Sequence, residues 1–470
     1  MRTVGRGLPR ALAPLGVPAY RWLAGALVCA LAAGGLWTLA VVWQVIALGG
    51  GATAVSAVSA GFAVGMLATA LLGGVLADRV PQRRILLAVA AAELAATAAT
   101  AALSLAGLVE VPHLVAASVV IGVGQGLYYP AYSALLPSLL PADQLLPANG
   151  LEGFLRPLLV NAGGPALAGA LVAAFAPSAA LLAATVASAG AVGFLLGLPS
   201  TPLRRDLAAE ASASGRSVET AASGRTAARA VLADVAEGFA YLRRTPWLLS
   251  TLLFACVMVL LVIGPLEVLT PFAIRDRAGG GPQDHALVLA AFGVAGAVAS
   301  LVVASRRLPR RYLSVMILLW GAGCAPLALF GVATSVWVMV VGAALVGATF
   351  QAATVIWGTL LQRRVPPSLL GRVSSLDFFV SLALMPVSMA LAGPVSAAVG
   401  LTPVFLVAGL APTGLAVAAI VLARLRVDEL AHPLDGAPPA ADGSAVPAPG
   451  GLGADPVPPT AGGRAPRTDG

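Results

Sequence analysis

The chain has 470 residues, of which 59% are hydrophobic and only 10% are charged, whereas about 25% of residues are charged in an ordinary soluble domain. This composition excludes a soluble globular protein and indicates a chain that crosses a membrane several times. The net charge of +8 comes from arginine alone, because the chain has no lysine. The arginines cluster briefly between apolar stretches, which is typical of oriented membrane helices and not of a nucleic-acid-binding surface.

Apolar stretches long enough to cross a bilayer, about 20 residues each, recur along the whole chain. Twelve spans are predicted, at residues 22–47, 52–77, 85–107, 113–137, 149–174, 178–198, 247–273, 286–305, 312–331, 335–361, 373–398 and 401–423. Six of them precede a polar interval and six follow it. The sequence therefore predicts an all-α membrane protein built from two six-helix halves.

The segments between and around the spans complete the predicted organisation. Residues 1–21 are expected to form a cytoplasmic N-terminal segment, and the two six-helix halves to occupy 22–198 and 247–424. Between them, 199–246 reads as a cytoplasmic linker whose residues 226–244 form an amphipathic helix along the membrane surface. The Pro- and Ala-rich tail, 425–470, is expected to be disordered.

The arginine distribution predicts the orientation of the chain. Clusters occur in the N-terminal segment, at 79–84, in the central interval, at 306–311 and at 363–372, whereas the opposite side has only Arg275 and Arg277. By the positive-inside rule both termini are cytoplasmic. The loop at 137–148 departs from this pattern, because it carries Asp143 and no arginine. We expect a multi-pass protein of a bacterial plasma membrane.

The two halves repeat each other in sequence. Arg79-Val-Pro-Gln-Arg-Arg after span 2 matches Arg307-Leu-Pro-Arg-Arg after span 8. Tyr132-Ser-Ala-Leu-Leu and the following Leu151-Glu-Gly-Phe match Trp357-Gly-Thr-Leu-Leu and Leu376-Asp-Phe-Phe. Such a repeat places the halves around an axis along the membrane normal, with a substrate site near the midplane between them.

The turn Gly74-Val-Leu-Ala-Asp-Arg-Val-Pro-Gln-Arg-Arg resembles the loop signature of the major facilitator superfamily, although Pro81 and Gln82 depart from the usual residues. Tyr241-Leu-Arg-Arg-Thr-Pro-Trp and Arg364-Val-Pro-Pro-Ser-Leu-Leu-Gly-Arg are similar to the branch that contains the enterobactin exporter and macrolide efflux relatives. The resemblance covers residues 20 to 425 and implies a transporter with the major facilitator fold.

The resemblance implies a gating role for the loop. Asp78 would hold the cytoplasmic face shut by pairing with the start of span 11, where the helix N-terminus is partly positive and Arg372 is a candidate partner. The gating residues expected on this basis are Gly74, Asp78, Arg79, Arg83, Arg84 and Arg372. The alternative is an exposed ion pair that contributes less than about 1 kcal/mol.

Inserting an ionisable side chain near the centre of a membrane span costs about 2.5–3.5 kcal/mol on insertion scales. Each such residue is therefore expected to have a structural or functional role. Glu152 and Arg156 are one helical turn apart and can pair, and Asp377 is the repeat counterpart of Glu152. For these three, a structural charge network is the alternative. Glu93 has no obvious partner in its own span, and Glu267 lies where two prolines can break span 7. Both are candidates for proton coupling.

Two further sets of residues are assigned by position. Gly163, Gly164, Pro165 and Gly169 in span 5 resemble the antiporter motif of drug exporters and predict a bend or a sliding surface, with ordinary helix packing as the alternative. Polar and aromatic residues in spans 1, 4 and 10 predict a cavity for a bulky, partly apolar ligand. These cavity candidates are Gln44, Gln125, Tyr128, Tyr129, Gln351 and Trp357.

The motifs that would indicate other chemistry are absent from the sequence. Without lysine, no Gly-rich phosphate-binding loop of the kind that ends in lysine can form, which excludes ATP-driven transport by this chain. The three histidines show no metal-ligand spacing, and the three cysteines lie far apart in separate apolar segments. We expect a non-enzymatic, cofactor-free monomer that exports a small organic molecule, such as a siderophore or an antibiotic, in exchange for protons by alternating access. Import of a nutrient and a non-transporting receptor on the same fold remain alternatives.

Overall fold

The computed structural model of the protein describes residues 10–199, 241–304, 306, 308–365, 373, 377 and 379–434. Within these residues, twelve helices are long and apolar enough to cross a membrane. Helices dominate because a chain inside a bilayer must satisfy its backbone hydrogen bonds within each segment. The predicted all-α membrane fold is confirmed.

The N-terminal half contains the first six spans. A 3-10 helix at Arg10–Gly16 leads into α1, and the fifth span is an α-helix interrupted by a π-helix at Pro157–Gly163. The α-helices are α1 (Pro18–Ala47), α2 (Ala52–Arg79), α3 (Gln82–Leu105), α4 (Val111–Leu139), α5 (Ala142–Arg156), α6 (Gly164–Ala174) and α7 (Pro177–Gly197).

The C-terminal half contains the other six spans. Its first span is likewise broken by a π-helix, at Pro265–Leu269, and its third by a 3-10 turn at Ala322–Cys324. The α-helices are α8 (Pro246–Gly264), α9 (Thr270–Ala278), α10 (Pro282–Ala304), α11 (Tyr312–Gly321), α12 (Leu327–Phe330), α13 (Val336–Arg364), α14 (Met385–Val399), α15 (Leu401–Leu422) and α16 (Leu425–Ala431).

The turns divide the bundle into two faces. We call the face with residues 80–81, 140–141, 306 and 308–311 the arginine-rich face, and the face with residues 48–51, 279–281 and 400 the arginine-poor face. Gly279 shows how a span ends there. It takes the left-handed conformation, with φ +65°, and the N–H of Gly280 donates to the carbonyl of Ile274 at 2.9 Å, which closes α9.

The two halves meet through α2 with α14 and through α6 with α10. Both contacts lie toward the arginine-poor face. A Cβ on Gly393 would come within 2.5 Å of the carbonyl of Ala52, so glycine permits the close approach of α14 to α2. The Ser56 hydroxyl accepts a hydrogen bond from the Gly393 N–H at 2.7 Å. The halves are thus joined closely at this face.

The start of the tail corrects the prediction of disorder from residue 425. Residues 425–431 form α16, which packs against α11 and α15. Its Glu429 is 1% exposed and accepts hydrogen bonds from the N–H groups of Leu313 and Ser314 at 2.9 and 3.0 Å. The acid satisfies free N–H groups at the start of a neighbouring helix, a contact that local composition does not reveal. Residues 200–240 and 435–470 lie outside the described residues.

Candidate functional site

A cavity of about 320 Å³ lies between the two halves. Its lining positions on α1 run from Ala30 to Val42, which corresponds to about 18 Å along a helix. Polar and ionisable lining residues come from both halves: Thr38, Ser59, Ser118, Gln125, Tyr128, Arg156, Asn161, Glu267, Thr270 and His285. The larger apolar lining residues include Trp37, Phe62, Phe292, Met385 and Met389. This mixture suits an amphipathic organic ligand.

Glu267 presents its carboxylate to the cavity from the C-terminal half. It lies in the π-helix Pro265–Leu269, where the proline removes a regular helix hydrogen bond. The side chain is exposed within the lining, and among the described residues it makes no hydrogen bond or ion pair. The break predicted around this residue is present, and it places an unpaired acid on the cavity wall.

Glu93 lies one layer behind the cavity wall in the N-terminal half. It is 8% exposed and does not line the cavity. Gln125 of α4 does line the cavity, and its Nε2 donates to the Glu93 carboxylate at 3.3 Å. The partner that the sequence of span 3 does not provide therefore comes from the adjacent helix.

The Glu152–Arg156 pair forms as its spacing predicts. Arg156 Nη2 donates to Glu152 Oε1 at 2.7 Å, and the two side chains are 38% and 10% exposed, respectively. Arg156 reaches the cavity lining, but its charge is balanced by Glu152. Tyr128 lines the same wall and stacks on Tyr132, with ring centroids 6.0 Å apart. This part of the wall is polar but carries no excess charge.

A hydrogen bond crosses between the halves near the arginine-poor end of the cavity. Trp43 Nε1 of α1 donates to His285 Nδ1 of α10 at 3.3 Å. The bond fixes the neutral tautomer in which Nδ1 is the acceptor. Both residues are buried, at 8% and 3% exposure. Together with the Ser56–Gly393 bond, it ties the halves at this end.

Three of the predicted cavity residues lie outside the lining of this cavity. Gln44 is buried away from the cavity and accepts a hydrogen bond from Ser104 at 2.8 Å. Gln351 packs on Gly296, at the contact of α13 with α10. Trp357 packs with Trp247 and Trp320. Helix rotation turns these side chains toward neighbouring helices of their own half, whereas Gln125 and Tyr128 do line the cavity. The side chain of Tyr129 is not described.

Asp377 is separated from the cavity lining. It accepts hydrogen bonds from Trp357 Nε1 at 3.0 Å and from the Ser381 hydroxyl at 3.1 Å. No described arginine pairs with it, unlike its repeat counterpart Glu152. The two repeat-related acids thus have different partners, and the pseudo-symmetry does not extend to their charges.

The gating loop is described only in part. Gly74, Asp78 and Arg79 belong to α2, but their side chains are not described, and Arg372 lies outside the described residues. Arg83 Nη2 donates to the carbonyl of Leu196 at 2.9 Å, and Arg84 is exposed. The gating pair therefore stays a prediction.

The antiporter-like segment follows the π-helix of the fifth span. A Cβ on Gly164 would lie 2.7 Å from the Cα of Gly35 in α1, and one on Gly169 would lie 2.9 Å from the carbonyl of Pro282 in the other half. Gly163 ends the π-helix and Pro165 lies in the first turn of α6. The segment packs closely on both sides, and its sliding motion stays a prediction.

Several cavity residues were missed by reasoning from sequence. They include His285, Asn161, Ser118 and the methionines Met385 and Met389. His285 directly precedes the predicted span 286–305, and the structure shows that it lies four residues into the helix, where it needs a polar partner. Serine and methionine occur on any face of a membrane helix, so their positions gave no sequence signal for the cavity. Among the described residues, no group of His, Cys, Asp or Glu side chains is arranged to hold a metal ion.

Comparisons with known proteins agree with this architecture. A family profile described as Major Facilitator Superfamily matches residues 23–381. The chain is 28% identical over 356 residues to an uncharacterized MFS-type transporter, y4rN, of Sinorhizobium fredii, with 74% of this chain and 81% of that protein covered. It is 32% identical over 207 residues to the multidrug efflux pump Tap of Mycolicibacterium fortuitum, with 43% of this chain and 49% of Tap covered.

Solved structures share the fold at low sequence identity. The nucleoside transporter NupG superposes with a TM-score of 0.64 at 13% identity, covering 86% of this chain and 98% of NupG. A POT family transporter in complex with 5-aminolevulinic acid superposes with a TM-score of 0.62 at 12% identity, covering 86% of this chain and 96% of that one. These likenesses concern the arrangement of helices.

Proposed function

The chain belongs to the Major Facilitator Superfamily, and on this premise we propose that it exports a small amphipathic organic molecule in exchange for protons. Membership makes it a non-enzymatic, multi-pass membrane transporter. The export branch that includes macrolide efflux relatives is the proposed placement, and the similarity to a multidrug efflux pump supports it.

The observation that carries the proposal is the position of Glu267. A transporter coupled to protons needs a carboxylate that substrate and proton reach in turn. Glu267 is accessible from a cavity built by both halves, and it makes no ion pair among the described residues. If proton and substrate bind to the same acid in turn, the proton gradient alone can drive the movement of the substrate.

The charge balance of the cavity wall favours one class of substrate. Arg156 is neutralised by Glu152, so Glu267 is the acidic lining residue without a described partner. Trp37, Phe62 and Phe292 provide aromatic surface nearby, and aromatic faces attract cations. We propose a neutral or cationic amphipathic substrate, such as an amine-bearing antibiotic, in preference to an anionic siderophore.

The orientation and mechanism follow from the same premise. The proposed cytoplasmic side is the arginine-rich face, by the positive-inside rule. The Ser56–Gly393 and Trp43–His285 bonds then close the extracellular end. Alternating access would proceed by rocking of the halves, with release of these bonds as the outer end opens. We propose that the chain acts as a monomer in a bacterial plasma membrane.

Proton movement in proteoliposomes tests the proposal. Amphipathic amines, a macrolide antibiotic and an anionic catechol siderophore are added in turn while an enclosed pH-sensitive dye is read. We expect an amine or the macrolide to drive proton movement in the parent, and Glu267→Gln to abolish it. Asp276→Asn is the control, because it removes an exposed acid paired with Arg275 outside the cavity.

Three results would contradict this function. Substrate flux without proton movement in every variant would make the protein a facilitator. Accumulation of substrate inside right-side-out vesicles would make it an importer. Saturable substrate binding with no flux in either direction would make it a receptor on a transporter fold.

A further inference from the structure

A second cavity, of about 550 Å³, lies at the arginine-rich face of the C-terminal half. Three segments form its walls: residues 241–247 at the start of α8, residues 363–364 at the end of α13, and residues 428–434 of the tail. It shares no lining residue with the central cavity. Its position at the ends of the spans places it at the level of lipid headgroups.

The wall made by the tail is firmly anchored. The Ser314 hydroxyl donates to the Glu429 carboxylate at 2.7 Å, in addition to the two backbone N–H groups that bind this acid. The Tyr312 hydroxyl donates to the carbonyl of His432 at 2.8 Å, and Arg363 Nη2 donates to the carbonyl of Leu434 at 2.9 Å. The cavity is therefore a formed part of the fold.

The cavity carries an excess of positive charge. Arg364 is paired with Asp428 at 2.5 Å and lies over the ring of Trp247, 4.6 Å from its centroid. Arg363 has only a neutral carbonyl as its described partner, and exposed Arg244 has no described partner. Two arginine charges are thus left uncompensated among the described residues. The N-terminus of α8, which starts at Pro246, adds a partial positive charge.

From this arrangement we propose that the second cavity binds a phosphate group through Arg244 and Arg363, with an anionic phospholipid as its source. Arginine suits this ligand, because its planar guanidinium can donate two parallel hydrogen bonds to phosphate oxygens. A basic pocket between the ends of membrane helices is typical of headgroup recognition.

The surroundings favour a lipid over a soluble phosphate. Tyr241 and Trp247 line the cavity, and aromatic residues with a polar edge prefer the membrane interface. Leu422, at the end of α15, which packs on α8 and on the tail helix α16, is 83% exposed and offers apolar surface for an acyl chain. The half of the bundle that holds the cavity thus also exposes apolar surface at the end of a span.

Native mass spectrometry of the full-length protein tests the proposal without reference to transport. The purified protein is titrated with phosphatidylglycerol, with phosphatidylcholine and, separately, with inorganic phosphate. We expect Arg244→Gln and Arg363→Gln each to weaken phosphatidylglycerol binding by about fivefold. Arg426→Gln is the matched control, because Arg426 is an exposed arginine of the tail helix α16 that does not line the cavity.

The outcomes separate the ligand sources. Arginine-dependent binding of phosphatidylglycerol, undisturbed by inorganic phosphate, supports the lipid site. Arginine-dependent binding of inorganic phosphate alone supports the phosphate site but replaces the lipid with a soluble anion. Binding that Arg244→Gln and the control weaken equally would overturn the proposal. Arg244→Gln decides between these outcomes, because Arg363→Gln also removes a hydrogen bond to the tail. None of the outcomes bears on the proposed export.

Discussion

The two halves of the transporter differ in the partners of the acids that lie in or near the cavity wall. In the N-terminal half, Glu152 is paired with Arg156 at 2.7 Å, and Glu93 accepts a hydrogen bond from Gln125 at 3.3 Å. In the C-terminal half, Glu267 reaches the cavity without a described partner. The pseudo-symmetric fold thus carries an asymmetric distribution of charge.

This difference separates two roles that a membrane carboxylate can have. An ion pair or hydrogen bond offsets the cost of removing the acid from water, so a paired acid contributes to structure. An acid without a partner has nothing to hold its charge constant, so its ionisation can follow the contents of the cavity. Under the proposed function, the comparison therefore predicts coupling in the C-terminal half and scaffolding in the N-terminal half.

The largest effect on stability is expected for Arg156→Gln, which leaves Glu152 buried without its cation. The change should lower the free energy of unfolding by about 3 kcal/mol, the lower end for a broken buried pair, because Arg156 is partly exposed. Denaturant unfolding in mixed micelles measures it. The double variant Glu152→Gln with Arg156→Gln should recover most of the loss. Equal loss in the double variant would show that packing, and not the pair, is at work.

A smaller effect is expected for Trp43→Phe, which keeps an aromatic side chain but removes the hydrogen bond to His285. One such bond contributes about 1 kcal/mol, so the balance between the closed and open arginine-poor ends should shift toward the open state by about fivefold. Spin labels on the turns at 48–51 and 279–281 report this distance distribution. Trp37→Phe is the control, because Trp37 lines the cavity without a described hydrogen bond. An equal shift in both variants would refute a latch at Trp43.

The smallest effect is expected for Glu93→Gln, which preserves the acceptor for Gln125. The free energy of unfolding should change by less than about 1 kcal/mol, and substrate-driven proton movement should persist. Denaturant unfolding measures the change in stability, and the proteoliposome assay on the same preparation measures proton movement. Loss of proton movement in this variant, with Glu267→Gln still active, would move the coupling residue to the N-terminal half and reverse the comparison.

The amino-acid sequence by itself determined the features that depend on length, polarity and local spacing. Twelve spans were predicted and twelve are present within the described residues. The break of span 7 around Pro265 and the Glu152–Arg156 pair also followed from local rules, since a proline removes a helix bond and residues four apart share a face.

Only the tertiary structure decided which side chains meet at the cavity and at the faces. It joined Gln125 to Glu93 and Trp43 to His285, turned Gln44, Gln351 and Trp357 away from the cavity, and fixed the tail through Glu429. The physical reason is that lipid is as apolar as the protein interior, so a membrane helix shows no polar face from which its rotation can be read. Close contacts at glycines such as Gly164 and Gly393 set that rotation, and they form only when the helices pack.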